Sequence, residues 1–351
     1  MKSFIKWAWV TALKLGKTPY PLTIWGARLI LASMPLGIIG SLGVFTISFF
    51  SGSKIESIQY IAQEASIWGT IFSIISALAG LALIYKEWEQ KTRHTAKIII
   101  ASLPNSSTEF PEKILDPAEK AYFREAIILG KNNGNLEDIE AQVLQYNAER
   151  TVDIFNRFIL HENCERLYIG GLARIPILVA YGSFLKNTYA EINYFDKIHK
   201  NGNWSLLHDE NLEIGINIAK PEKQVTTTGD IGLAIGFSSE IQPHQLPKDL
   251  QESTRILVSN VLPERNLIKN QENLNEIVDQ INQHIDEFSK KEGVNKIHLF
   301  LSVQTTVALA LGRRYQEGMH KNWVIHNYDA SESIYNWSIE LSKEGIELIK
   351  A

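Results

Sequence analysis

The sequence predicts an α/β protein in which a two-helix transmembrane hairpin precedes a duplicated Rossmann-like domain. Three observations carry that expectation. Two long runs near the start, Leu29 to Phe50 and Ala65 to Tyr85, contain no charged residue. From Lys97 onward, short apolar runs alternate with longer amphipathic ones, the pattern of strands joined by helices. The later part of that α/β stretch then repeats the earlier part in order and spacing.

Residues 1–22 form a basic leader. Within it, the segment from Phe4 to Leu15, with Trp7, Trp9 and interspersed lysines, reads either as a helix lying on the inner leaflet or as a disordered leader. The hairpin occupies residues 23–92, with spans at about 25–50 and about 65–86, because each charge-free run matches the ~20 residues needed to cross a bilayer core. The first run is too long and too far from the start for a signal peptide, and no small-residue cleavage site follows it. Lys2, Lys6, Lys14, Lys17 and Arg28 precede the first span, and Lys86, Lys91, Arg93 and Lys97 follow the second. The connection, Ser51 to Glu64, carries only Lys54 against Glu56 and Glu64. Both termini are therefore expected in the cytoplasm, with the protein multi-pass in the membrane. Trp25, Trp68, Tyr85 and Trp88 stand near the span ends, where amphipathic rings settle. Gly69, Ser73 and Ala77 recur every four residues on one helix face, and Gly37 and Gly40 give the first span small residues too. Such faces let helices approach closely, within the hairpin or between copies. Neither run holds an acid or base that would mark an ion path.

The totals exclude some partners. A net charge of −4, with 21% charged residues, argues against binding polymeric nucleic acid. It leaves room for a small nucleotide held by a local pocket. Cys164 is the only cysteine, so neither an intramolecular disulfide nor a thiolate zinc cluster is available.

The soluble part divides into halves at residues 95–220 and 221–351. Strands are expected at 98–101, 166–170, 189–195, 231–237, 254–259, 296–302 and 322–328, with long helices over Glu137 to Leu160 and Glu272 to Phe288. The segment Arg166 to Arg174 aligns with Lys296 to Gln304. Ala180-Tyr181-Gly182 then matches Ala310-Leu311-Gly312, Phe195-Asp196 matches Tyr328-Asp329, and Trp204 matches Trp337, each about 130 residues apart. Two such halves side by side form a pseudo-dimer.

Parallel sheets bind ligands beyond the carboxyl ends of their strands, where helix N-termini present free amides. Those positions are Ser102, Pro104, Gly170, Gly171, Arg174 and Asp196 in the first half, and Ser238, Ser239, Gln304, Thr305, Thr306 and Asp329 in the second. Glycine lets a backbone approach a phosphate, Arg174 offers a planar fork, and hydroxyls with a glutamine amide suit base edges and sugars. The same residue types also serve ordinary turns and helix caps. Tyr194, Phe195 and Tyr328 read as core aromatics before base-stacking ones, and His298 and His326 as structural histidines without an evident partner. His161-Glu162-Asn163-Cys164 reads as a helix end and connector. No Walker A, GxGxxG after the first strand, GxSxG or HExxH motif occurs, so no catalytic residue, metal or cofactor is expected.

The second half carries a resemblance. From Lys296-Ile-His-Leu-Phe-Leu-Ser-Val, through Thr305-Thr306-Val-Ala-Leu-Ala-Leu-Gly312, to Trp323-Val-Ile-His-Asn-Tyr-Asp329, it looks like the C-terminal signature of SAVED domains, which are fused pairs of CARF-like folds. With two spans ahead of it, the chain resembles the transmembrane SAVED effectors of CBASS anti-phage defence. That resemblance implies a ligand, a cyclic di- or trinucleotide made by a cGAS/DncV-like nucleotidyltransferase. It also implies head-to-tail stacking of SAVED domains into a homo-oligomer and clustering of the hairpins to breach the bacterial inner membrane. Carried over by position, the turns at Ser102 to Pro104, Gly170 to Arg174, Ser238-Ser239 and Gln304 to Thr306 correspond to the family's ligand-facing edge. The sequence shows no strongly basic cluster there. The alternative is a membrane-anchored CARF-type sensor or ring nuclease for cyclic oligoadenylate, linked to CRISPR.

Overall fold

A computed structural model describes residues 21–42, 44–50, 54–61, 67–103, 111–115, 124–129, 136–152, 164–186, 188–199, 202–208 and 212–350. The chain forms two compact units, residues 1–92 with 116–122, and residues 93–115 with 123–351.

The first unit holds helix α1 (Pro21–Leu42), the hairpin strands β1 (Val44–Phe50) and β2 (Lys54–Ile61), and helix α2, which runs from Ile67 to His94. Two glycines bring the helices together. A Cβ on Gly80 would lie 2.6 Å from the Gly26 carbonyl oxygen, and one on Gly26 would lie 2.5 Å from that of Gly80. Ser73 belongs to the same face, its Oγ donating to the Ser33 carbonyl at 2.7 Å, and Ala77 is half-buried one turn on. Gly69, Gly37 and Gly40 lie within the two helices, and their surroundings fall outside the described residues. At the far end, Glu87 is buried and its carboxylate accepts the Thr23 backbone N–H at 2.5 Å. Glu87 thereby satisfies one of the free amides at the start of α1.

This unit corrects the first expected span. The helix ends at Leu42, and residues 44–50, counted in the span at 25–50, form a strand paired antiparallel with β2. Absence of charge does not distinguish helix from strand, and Val44-Phe-Thr-Ile-Ser-Phe-Phe50 is rich in β-branched and aromatic residues. The connection expected after it is in part a strand as well. By length and composition α2 is long and apolar enough to cross a membrane, over Ile71–Trp88, and α1 has a shorter apolar stretch, Leu22–Ser33.

The second unit contains two sheets. The five-stranded one has the order β4-β3-β5-β6-β7, from β3 (Thr95–Ala101), β4 (Arg124–Leu129), β5 (Arg166–Leu172), β6 (Glu191–Lys197) and β7 (Trp204–Leu206). The seven-stranded one has the order β14-β13-β12-β11-β9-β10-β8. Its strands are β8 (Ile216–Lys220), β9 (Asp230–Gly236), β10 (Thr254–Ser259), β11 (Lys296–Ser302), β12 (Asn322–Asp329), β13 (Ile334–Ser342) and β14 (Gly345–Lys350). In each sheet four strands run parallel and the next, β7 or β13, returns antiparallel. The two sheets thus share one topology, with β8 and β14 added at the edges of the second. β8, placed with the first half by sequence, belongs to the second sheet.

Helices α3 (Leu136–Val152) and α4 (Ile175–Ser183) link the strands of the first half, and α5 (Gln271–Lys290) and α6 (Thr305–Arg313) those of the second. Asn270 caps α5, its side chain accepting the amides of Glu272 and Asn273. Leu274, Ile277, Val278, Ile281, Ile285 and Phe288 bury one stripe of that helix in the core. Helix α3 covers the expected helix from Glu137 through Val152, and the remainder of that expectation, to Leu160, lies outside the described residues. The Ala-x-Gly motifs meet where α4 crosses α6. A Cβ on Gly182 would lie 2.2 Å from the Leu309 oxygen, and one on Gly312 would lie 2.0 Å from that of Val179. Each motif contacts the other reciprocally, as in an isologous dimer. Asn147 on α3 brackets the second sheet's edge, bonding both the N–H and the C=O of Ile346. The main apolar core runs through both halves, with a smaller cluster on the other face of each sheet's strands, around Phe300 and around Phe195.

The strand register revises one detail of the repeat. Gly170 pairs with Phe195 and Phe300 with His326, so the partner of Asp196 in the duplication is Asn327, not Asp329. The dipeptides matched by sequence lie at the strand ends, and β12 continues two residues further past the pairing point.

Candidate functional site

The carboxyl ends of the parallel strands come together along one edge shared by the two halves. At the end of β3, the amides of Ser102 and Leu103 both reach the Leu172 carbonyl, at 3.0 and 3.2 Å. In the second half, the amides of Phe237 and Ser238 reach the Ser302 carbonyl in the same way, at 2.9 and 2.8 Å. Ser102 is buried and its Oγ has no partner among the described residues. Pro104 lies outside the described residues.

Gly170 and Gly171 sit inside β5. A Cβ would lie 2.3 Å from the Phe195 oxygen at the first and 2.2 Å from the Ile100 oxygen at the second, so close strand packing accounts for both. Arg174 occupies the N-cap position of α4, with its Nε buried and without a hydrogen-bond partner among the described residues. Hydrogen bonds from Ser331 hold the Asp329 carboxyl below its ordinary range, and the Arg174 charge adds to that. Ser239 bonds the Ser302 hydroxyl at 2.7 Å. Thr306 is buried beneath the start of α6. Tyr194 and Phe195 are buried core rings, Phe195 edge-on to Trp204. The Tyr328 hydroxyl accepts from Gln245.

Asp196, at the end of β6, is the centre of the edge. Only 7% exposed, it crosses from the first half to the N-terminus of α6 in the second. Its Oδ1 accepts from Thr305 Oγ1 at 2.9 Å and from the Lys197 amide at 2.8 Å, and its Oδ2 accepts from Gln304 Nε2 at 3.2 Å. Burial raises its pKa, and those three hydrogen bonds oppose the rise without cancelling it. Gln304 fastens the junction further by bonding both the N–H and the C=O of Ile268, at 2.6 and 3.0 Å.

A cleft of about 280 Å³ opens beside this junction, lined among others by Lys197, His199, Ser238, Arg265, Gln304 and Thr305. A second compartment of about 190 Å³ lies against the same Asp196, Asn266 and Gln304, with Lys269 in its lining. Among the described residues neither Lys197 nor Lys269 meets an acid, and Arg265 bonds the His199 ring, at 2.7 Å. Positive charge is therefore available at the rim. The opposite holds for Arg255, which is fixed between Glu222 and Glu287 and stacked on Phe288 away from the cleft. Arg265, Asn266 and Lys269 escaped the reading of the sequence. They follow β10 on the way to α5, so the strand expected at 254–259 already placed them at a carboxyl end. Lys197 directly follows Asp196. Among the described residues, no group of His, Cys, Asp and Glu is arranged to hold a metal ion.

The profile of the SMODS-associated and fused to various effectors sensor domain, SAVED, matches residues 153–341, more than half of the chain. The chain belongs to the SAVED family. No curated protein matches it. Solved structures similar to this SAVED protein include the Acinetobacter baumannii Cap4 SAVED/CARF-domain containing receptor with the cyclic trinucleotide 3'3'3'-cAAA, and the same receptor with 2'3'3'-cAAA. Each is 16% identical, with a TM-score of 0.48, and covers 79% of this chain and 60% of that one. The Moraxella osloensis Cap4 receptor is 14% identical, with a TM-score of 0.41, covering 80% of this chain and 57% of that one. This SAVED chain thus spans less than two thirds of the length of the Cap4 receptors it matches.

Proposed function

We propose that the chain is a membrane effector of bacterial CBASS immunity whose SAVED domain binds a cyclic oligonucleotide in the cleft between its halves. The observation that carries this reading is the cleft itself. It lies at the carboxyl edge of a fused pair of α/β halves, and Lys197, Arg265 and Lys269 border it without acidic partners among the described residues. Cations of that kind suit a phosphodiester backbone. Membership of a family of sensor domains points the same way. The Acinetobacter baumannii Cap4 receptor structures hold cyclic trinucleotides, so that class is the first to try.

Ligand binding drives homo-oligomerisation by head-to-tail stacking and clusters the hairpins in the inner membrane, both termini being cytoplasmic. A ligand that favours the assembled state by ~3–5 kcal/mol is enough to move the population from mostly dispersed to mostly assembled. The chain acts as a receptor, not an enzyme, and releases its ligand intact.

The test is a titration of the full chain in detergent with cyclic di- and trinucleotides, following size and ligand integrity. Tight binding of one member, a shift to large assemblies and recovery of intact ligand are expected. Lys197→Glu combined with Arg265→Glu should weaken binding by at least about tenfold. No binding across the panel refutes the sensor reading, and a cleaved ligand refutes the receptor-only role.

A further inference from the structure

The two compartments beside Asp196 differ in kind. The larger carries Lys197, His199 and Arg265. The smaller has Ile198, Leu206, Leu207 and Ile268 in its lining, with Ser205 and Lys269 joining Asp196, Asn266 and Gln304 as its polar groups. Apolar walls with a few convergent polar atoms are what a flat heterocycle requires, and the cationic compartment next to it suits the attached phosphate.

Which polar atom there is left to read a base follows from counting bonds. The Gln304 amide is engaged at both ends by Ile268. Asn266 accepts the His199 amide at 2.8 Å and donates to the Lys197 carbonyl at 3.2 Å. Asp196 Oδ1 already takes two bonds, whereas Oδ2 takes one, from Gln304. A carboxylate oxygen has room for two, so Oδ2 has capacity to spare, and Asp196 is the one carboxylate among the residues lining this compartment.

We propose that the smaller compartment is a nucleobase pocket, and that Asp196 Oδ2 selects a base bearing an exocyclic amine. The proposal rests on the reading that the cleft binds a cyclic oligonucleotide, and it adds which base chemistry that site accepts. An amine donates to Oδ2. A keto group in the same place sets acceptor against acceptor in a buried site, which is strongly disfavoured.

The experiment compares the affinities of the full chain in detergent for cyclic triadenylate and for its inosine counterpart, in which a keto oxygen replaces the 6-amine. The wild-type protein should prefer the amine by on the order of 10–100-fold. In Asp196→Asn, which presents an amide in place of the carboxylate, that ratio should collapse toward one or invert. The ratio of two affinities measured on one preparation does not depend on how much of it is folded. A second variant, Leu206→Trp, fills the compartment and should weaken both ligands alike. A ratio unchanged by Asp196→Asn, or full affinity in Leu206→Trp, overturns the proposal. Equal wild-type affinity for the two ligands overturns it while leaving the sensor reading intact, and binding of neither overturns the sensor reading itself.

Discussion

His298 and His326 sit side by side on β11 and β12, their rings 5.1 Å apart and His298 Nδ1 2.9 Å from His326 Nε2. His326 also stacks on Phe300, at 4.3 Å. Burial lowers both pKa values; Asp230 partly offsets this at His298, while His298 adds to it at His326, bringing that ring to about 3. At pH 7 both rings are therefore mainly neutral in the folded state. Their contribution to stability is fully present above the unfolded value of 6.5 and is lost as pH falls toward the folded values. Unfolding by urea should show a loss of ~2 kcal/mol between about pH 7 and pH 5, much reduced in His326→Phe, which keeps a ring on Phe300 and removes one titrating group. A flat stability profile in the wild-type protein refutes this account. The partnership was hidden in the sequence because it depends on strand register, which brings residues nearly thirty apart onto neighbouring strands. The same limit applies to the candidate site. Asp196, Gln304 and Thr305 were legible as strand ends and helix starts, but their mutual bonds were not. Gly170 and Gly171 carry the residue type that suits a phosphate, yet their neighbours Phe195 and Ile100 show a packing reason for it.

At the scale of elements, the Ala-x-Gly helices were legible because duplication repeats them in order, and their crossing gives the repeat its physical meaning. Gly182 and Gly312 let two helix backbones touch at the pseudo-twofold centre, where a methyl group would overlap a carbonyl oxygen. Gly182→Val should cost several kcal/mol and lower the thermal midpoint of the SAVED domain by more than about 5 °C, with Gly312→Val behaving alike. If one of the pair is tolerated and the other is not, the crossing is not symmetric in the way the reciprocal contacts require. Edge strands were the least legible. β7, β8 and β14 are short or alternate polar with apolar residues, so they lack the continuous apolar run that marked the buried parallel strands, and β13, between β14 and β12, alternates in the same way. The early end of α1 has the same origin. Apolar content predicts burial in lipid or protein, and β-branched and aromatic residues then decide which backbone carries it.

For the whole molecule, the membrane reading rests on a surface that water does not suit. Ile71, Phe72, Ile74, Ile75, Leu78 and Leu81 along α2 are 41–62% exposed, while the small residues of the same helix face α1. A helix apolar on its outer side and small on its inner side is what lipid outside and a close partner inside require. Because Gly80 and Gly26 touch through backbone, a bulky side chain there forces the two helices apart without altering the ligand cleft. The full chain reconstituted in dye-loaded vesicles should release dye on addition of the cyclic nucleotide it binds, and should stay intact without it. Gly80→Leu should keep its ligand affinity and its membrane partition, since added apolar surface favours lipid, yet release dye at least about tenfold more slowly because the hairpin no longer closes. Equal leakage from this variant places the output elsewhere than the packed hairpin. Leakage that ignores the ligand severs the link between sensing and membrane disruption, even if cleft binding survives every other test.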